Sequence, residues 1–204
     1  MRNLIFVLWS IIGLAACTEQ HILDEKEAEH LFYQTWMHPN DSVILEARKK
    51  IAAESPNSRF GYYCRSWLLT RSNENIKALK VADSLVMGFP KFAEGHYLHA
   101  NLKEENGEME GAIESYTKTI KNKPDFIEAY INRGSIYFSR KEVEKALEDF
   151  KKAKTINPQH PIMLHNIGNV YMSMGRRDSA CLYWQQALQI GHMPVQPFIE
   201  MYCK

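Results

Sequence analysis

One residue pattern returns every 34 positions and leaves the chain few folds to choose from. In a frame opening at Ile127, the eighth, eleventh, twentieth, twenty-fourth, twenty-seventh and thirty-second places hold Gly134, Tyr137, Ala146, Phe150, Ala153 and Pro158. From Pro161 the same places read Gly168, Tyr171, Ala180, Trp184, Ala187 and His192, and from Ala93 they read Ala100, Lys103, Ala112, Tyr116, Thr119 and Pro124. A fixed period of this length means stacked units, each too small to bury its own apolar face. Small residues at the eighth and twentieth places let two helices cross closely, so Gly134 and Gly168 are expected to admit Ala146 and Ala180. Rings at the eleventh and twenty-fourth places fill the space between helices. Proline after the second helix ends it, and Gly107 and Gly175 suit a left-handed exit from the first.

The frame opening at Arg59 is a divergent copy, with Ala78, Ala82 and Pro90 in place but Ser66 and Leu69 for the glycine and the ring. Frame 25–58 keeps only Pro56, although Leu31, Phe32, Trp36, Ile44, Leu45 and Ile51 are spaced for two helices. End units of a stack are expected to be atypical. The predicted organisation is a leader at 1–16, a tether at 17–24, an atypical helical pair at 25–58, four units (59–92, 93–126, 127–160 and 161–192), and a tail or short capping helix at 193–204.

Period and residue classes together resemble the tetratricopeptide repeat. The resemblance implies an all-α fold, a right-handed α-solenoid of stacked antiparallel helix pairs, and a protein that holds other proteins. It also implies that the second, fifth, sixth, ninth and twelfth places of each first helix face a concave groove. On this chain the candidate groove residues are Phe60, Tyr63, Trp67, Tyr97, Asn101, Ile131, Asn132, Ser135, Phe138, His165, Asn166, Asn169 and Met172, with Cys64, Thr70, Glu94, Leu98, Glu104, Glu128 and Ile162 at the remaining such places.

Two features stand out in that projection. Asn132 and Asn166 lie one period apart, and Asn101 and Asn169 two. An amide both donates and accepts, so such residues could grip an extended peptide backbone, or bond neighbouring helices instead. Phe60, Tyr63, Trp67 and Tyr97 could form an aromatic anchor for a partner, or pack as core against the N-terminal pair. Family members that clamp a free C-terminal carboxylate carry lysine or arginine at the second, fifth or sixth places, and this chain has none there. Recognition of a free carboxylate is not expected.

The N-terminus carries a different message. Arg2, an apolar run from Leu4 to Leu14 and the sequence Leu14-Ala15-Ala16-Cys17 have the order of a secretory leader. The run is shorter than the ~20 residues a membrane span needs. Its ending resembles the bacterial lipobox, which implies lipidation of Cys17 and anchoring in the cell envelope. Thr18, not aspartate, follows the cysteine, and by resemblance to sorting in enteric bacteria this implies the outer membrane.

The whole chain has 25 basic and 24 acidic residues, and loss of Arg2 with the leader would leave 24 of each. So even a balance argues against a nucleic acid partner, which calls for a basic patch. Cys64, Cys181 and Cys203 remain after Cys17. Either two of them pair, as an oxidising compartment would permit, or Cys64 and Cys181 are small buried fillers. His96 and His99 with Glu94 have a spacing that could hold a metal, but structural zinc sites usually supply four ligands, and a core histidine is the expected role of His99. No phosphate loop, nucleophile elbow or HExxH is present. Neither an enzyme nor a cofactor is expected.

Overall fold

The computed structural model describes residues 22–36 and 40–203, and among these there are eleven α-helices and no strand. Each first helix begins 34 residues after its predecessor, at Glu25, Arg59, Ala93, Ile127 and Pro161. Second helices do the same, at Asp41, Asn75, Met109, Val143 and Arg177. Residues 25–58 therefore keep the period in their helix starts even though they have lost its signature residues.

The chain divides into two compact units, with the boundary inside the third helix, between Cys64 and Arg65. The first unit holds α1 (Glu25–Trp36), α2 (Asp41–Glu54) and the opening turns of α3 (Arg59–Arg71). Helix α1 starts on a reciprocal cap, in which the Glu27 amide donates to Asp24 Oδ1 at 2.8 Å and the Asp24 amide to Glu27 Oε2 at 3.0 Å. Asn40 caps α2 by accepting from the Ser42 amide. At the centre, the fully buried Phe32 ring lies 5.0 Å from Phe60 and 4.9 Å from Tyr63, with the Arg48 guanidinium 5.5 Å from the Tyr63 ring. Gly61 brings α3 against the end of α2. A Cβ there would stand 2.0 Å from the Ser55 carbonyl oxygen.

The second unit contains the rest of α3, then α4 (Asn75–Gly88), α5 (Ala93–Glu105), α6 (Met109–Asn122), α7 (Ile127–Ser139), α8 (Val143–Ile156), α9 (Pro161–Ser173), α10 (Arg177–Gln189) and α11 (Gln196–Tyr202). Successive helices pack as antiparallel pairs. The turn within each pair is the same device four times over, because Asn73, Gly107, Lys141 and Gly175 all take positive φ, at 60°, 79°, 63° and 71°. The next amide then bonds back five residues, Glu74 to Leu69, Glu108 to Lys103, Glu142 to Tyr137 and Arg176 to Tyr171, at 2.8–2.9 Å. These bonds satisfy carbonyls that the helix end leaves open. Sequence shows the device only at the two glycines.

The glycine at the eighth place makes room for a ring. A Cβ on Gly168 would stand 2.4 Å from Trp184 Cδ1 and Nε1, and one on Gly134 would stand 2.8 Å from Phe150 Cε1. The closest neighbour of each glycine is thus the ring at the twenty-fourth place. Across the stack the two places trade size, pairing Gly168 with Trp184, Gly134 with Phe150, Ala100 with Tyr116 and Ser66 with Ala82. Ser66 is buried and donates to the Ala78 carbonyl at 2.9 Å, which satisfies its hydroxyl.

The last pair is closed by the chain's own end. Val195 is fully buried, Phe198 lies 5.3 Å from Trp184, and Cys181 on α10 is disulfide-bonded to Cys203 after α11. The expectation of Cys181 as a buried filler is therefore overturned. Cys64 is such a filler, fully buried, its thiol pushed up to about 12 by burial.

Candidate partner-binding face

The first helices of the second unit lie side by side, tied by side-chain amides. From α7, the Asn132 amide donates to Tyr97 Oη (3.3 Å) and Asn101 Oδ1 (3.4 Å) on α5, and to Tyr116 Oη (3.2 Å) on α6. From α9, the Asn166 amide donates to Ser135 Oγ on α7 at 3.1 Å. Ser135 spends its own proton on the Ile131 carbonyl at 2.8 Å, so it can only accept from Asn166. That fixes which way the Asn166 amide points.

The ninth place follows a simple rule. Where the ring at the twenty-fourth place has a polar tip, the ninth place is asparagine. Tyr116 donates to Asn101 Oδ1 at 2.6 Å, and Trp184 Nε1 donates to Asn169 Oδ1 at 3.1 Å. Phe150 has no polar tip, and its ninth place is Ser135. The recurrence of Asn101 and Asn169 is thus a matter of satisfying buried rings, and all four asparagines bond neighbouring helices. Each bond occupies only part of an amide. Among the described residues, nothing bonds the carbonyl oxygens of Asn132 and Asn166 or the Nδ2 of Asn169, and all three residues are half-buried.

Several candidate residues are not on an open face at all. Phe60, Tyr63 and Ile131 are core, at 0%, 4% and 4% exposure, and the first two pack on Phe32. An aromatic anchor built on Phe60 and Tyr63 is therefore corrected to core packing, because α1 supplies a ring that fills their side of α3. Cys64 is buried with them. Trp67 is half-buried with the Arg71 guanidinium 5.0 Å from its ring. Tyr97 is half-buried on Phe126, 4.8 Å between ring centres. Phe138 and Met172 are partly buried against the core of the last two pairs. His165 Nδ1 is 3.1 Å from His192 Nε2, and Phe198 lies 5.5 Å from its ring. Sequence reasoning missed Tyr116, Trp184 and Phe198 as neighbours of this face. Pairing the ninth with the twenty-fourth place would have found the first two.

The formal charge at the groove places of α5 and α7 comes from the carboxylates Glu94, Glu104 and Glu128. Burial pushes the Tyr97 and Tyr116 hydroxyls up, so both stay protonated. Burial and the neighbouring His192 hold His165 below the usual imidazole range. Tyr116 shares its one hydroxyl proton between Asn101 Oδ1 and Glu104 Oε2, the latter at 2.7 Å, and Glu94 is paired with Lys123 at 3.1 Å.

The metal candidates disperse. His96 Nε2 is 2.9 Å from the Pro90 carbonyl oxygen. His99 bridges two second helices, with Nδ1 3.0 Å from Ser115 Oγ on α6 and Nε2 2.8 Å from Asp83 on α4. The same strut recurs 34 residues on, where Arg133 bonds Thr117 on α6 at 2.8 Å and Asp149 on α8 at 2.7 and 2.9 Å. His99 is thus a core histidine with both ring nitrogens occupied. No group of three ligating side chains suited to a metal occurs among the described residues.

Comparison with known proteins agrees with the repeat geometry. Residues 93–126, 127–160 and 163–192 each match tetratricopeptide repeat models, so the chain carries at least three such repeats. Among solved structures, MamA is 22% identical with a TM-score of 0.62, over 82% of this chain and 94% of that one. TTC0263, a thermophilic TPR protein of Thermus thermophilus, is 19% identical with a TM-score of 0.64, over 87% and 96%. The Cut9–Hcn1 hetero-tetramer of the APC/C aligns at 14% identity and a TM-score of 0.65, over 80% of this chain and 34% of that one. At such identities the likeness is one of fold, an α-solenoid of tetratricopeptide type. No curated protein sequence matches the chain.

Cys17, the leader 1–16 and most of the tether 17–24 lie outside the described residues. No described helix is long and apolar enough to cross a membrane.

Proposed function

We propose that this protein is a membrane-tethered adaptor of the bacterial cell envelope, holding an extended polypeptide along the first helices α5, α7 and α9. The observation that carries this reading is the set of oriented, half-used amides. Asn132 and Asn166 offer carbonyl oxygens and Asn169 offers an NH₂ group, the two kinds of partner that a peptide backbone needs. Inter-helix bonds hold these groups in position, so a partner would spend little entropy ordering them. The repeats support the class, since their common use is protein binding. The face has no lysine or arginine at the clamp positions, so internal stretches of chain, not free C-termini, are the proposed ligands. Cys17 is the proposed lipid anchor, and several acyl chains on it would hold the protein firmly, at about 0.8 kcal/mol per buried methylene.

Replacing Asn132 and Asn166 together with alanine tests the face. Capture of the partner should be lost while helix content by circular dichroism stays. Ser135→Ala separates binding from packing, because it removes the inter-helix partner of Asn166 but leaves the amide. Capture should weaken in Ser135→Ala but not vanish. Full capture by the double variant would mean that partners bind elsewhere, as a structural subunit joined through its ends or outer face would do.

A further inference from the structure

We propose that the Cys181–Cys203 disulfide is a redox latch that keeps α11 seated over the C-terminal end of the partner-binding face. The inference concerns regulation of that face and so rests on the adaptor reading.

Helix α11 spans seven residues, and none of them is buried. An isolated helix of that length is unstable in water, since nucleation costs more than so few bonds return. Ring contacts, a hydrogen bond to its backbone and a covalent link hold it down. Phe198 lies 5.5 Å from His165 and 5.3 Å from Trp184, Tyr202 lies 6.2 Å from Trp184, and Arg177 Nε donates to the Tyr202 carbonyl. The third is the covalent link, which joins residues 22 apart and encloses the whole segment from α10 to the end of α11. Closing a loop of this length favours the seated state by roughly a hundredfold. The noncovalent contacts are Val195, buried just before the helix, Ile199 packed against the core, and two rings, Phe198 and Tyr202, each 37% exposed. The seat matters because His165 is at the fifth place of α9, a position that faces the bound chain, and Phe198 covers it.

The step needs a dithiol reductant. One of its thiolates attacks a sulfur of the disulfide, forming a mixed disulfide and releasing one cysteine thiolate. The second thiol then displaces the other cysteine, and the reductant leaves as its own disulfide. Two electrons pass to the protein, and each cysteine sulfur takes up a proton. With the latch open, α11 leaves its seat and the His165 surface joins the open face.

Hydrogen exchange on the full-length protein in detergent tests this, comparing oxidised, dithiothreitol-treated, Cys203→Ser and Cys181→Ser forms. Amides of residues 196–203 should exchange at least about tenfold faster in all three unlatched forms, while those of α9 keep their protection. Carbethoxylation of His165, read by mass spectrometry, should rise several-fold in the same forms. Unchanged exchange in 196–203 would overturn the latch, and faster exchange without greater reactivity of His165 would overturn its control of the face. Neither readout involves a partner. If both change as expected but Asn132 and Asn166 prove irrelevant to capture, the adaptor reading fails and the latch stands.

Discussion

Adding one methyl group at Gly168 probes the packing of the stack. The Cβ of Gly168→Ala would sit 2.4 Å from two atoms of the Trp184 indole, against the ~3.5–4.0 Å of a normal carbon contact. Trp184 has little room to retreat. It is 1% exposed, its Nε1 is bonded to Asn169, and Phe198 lies against it. Overpacking of this kind costs about 1–3 kcal/mol, and alanine's better helix propensity returns up to about 1 kcal/mol. The expected net loss is about 1–2 kcal/mol, a fall in Tm of roughly 2–8 °C for a chain of this size. Gly134→Ala should cost less, because its closest contact is 2.8 Å, to the edge of the Phe150 ring. Trp184→Tyr in the Gly168→Ala background should recover much of the loss. Ala100 and Tyr116 already occupy those two places, and Tyr116 reaches Asn101 as the new tyrosine would reach Asn169. Urea denaturation of the four forms gives the coupling energy, expected to reach about 1 kcal/mol in favour of the double variant. Wild-type stability in Gly168→Ala, or purely additive losses in the double variant, would refute the size-trading account.

Three further outcomes are expected. Lys141→Gly should raise stability by about 0.5–1 kcal/mol, since Lys141 holds φ at 63° where only glycine is unstrained; an unchanged urea midpoint would contradict this. Burial holds the imidazoles of His96, His99, His160 and His165 below their ordinary range. The unfolded chain therefore binds protons more readily, and stability is full above about pH 6.5 and is lost as pH falls below it. Tm should accordingly be lower at about pH 5.5 than at about pH 7.5, with a smaller drop in His99→Gln; a higher Tm at the acid value would show that other groups dominate. Labelling of cells with radioactive palmitate should mark the wild type and not Cys17→Ser, and equal labelling of both would remove the proposed anchor.

The repeat period carried most of the fold, because close helix packing leaves a residue-size signature that survives in Gly134, Gly168, Ala146 and Ala180. Its signature residues are missing from residues 25–58, where Phe32 builds a core with Phe60 and Tyr63 of α3 rather than through the glycine–aromatic pairing. There only the helix starts keep register. The left-handed turns at Asn73 and Lys141 were invisible for a related reason: a residue other than glycine can take that conformation at modest cost, so composition does not mark it. On the candidate face, position along the helix singled out the asparagines as recurrent but could not tell exposure from burial. Ile131 and Tyr63 share the fifth place with His165, yet neighbouring helices bury the first two. The Cys181–Cys203 pair depends on how the chain folds back after α10, which no spacing encodes.

The central claim is that a polypeptide lies along α5, α7 and α9. Photo-crosslinking in the native membrane tests it most directly, with a photoreactive residue placed at Asn169 on the candidate face or at Lys152, exposed on α8. The account predicts a discrete polypeptide adduct from position 169 that is absent from position 152. Adducts from position 152 alone, or from both equally, would contradict it.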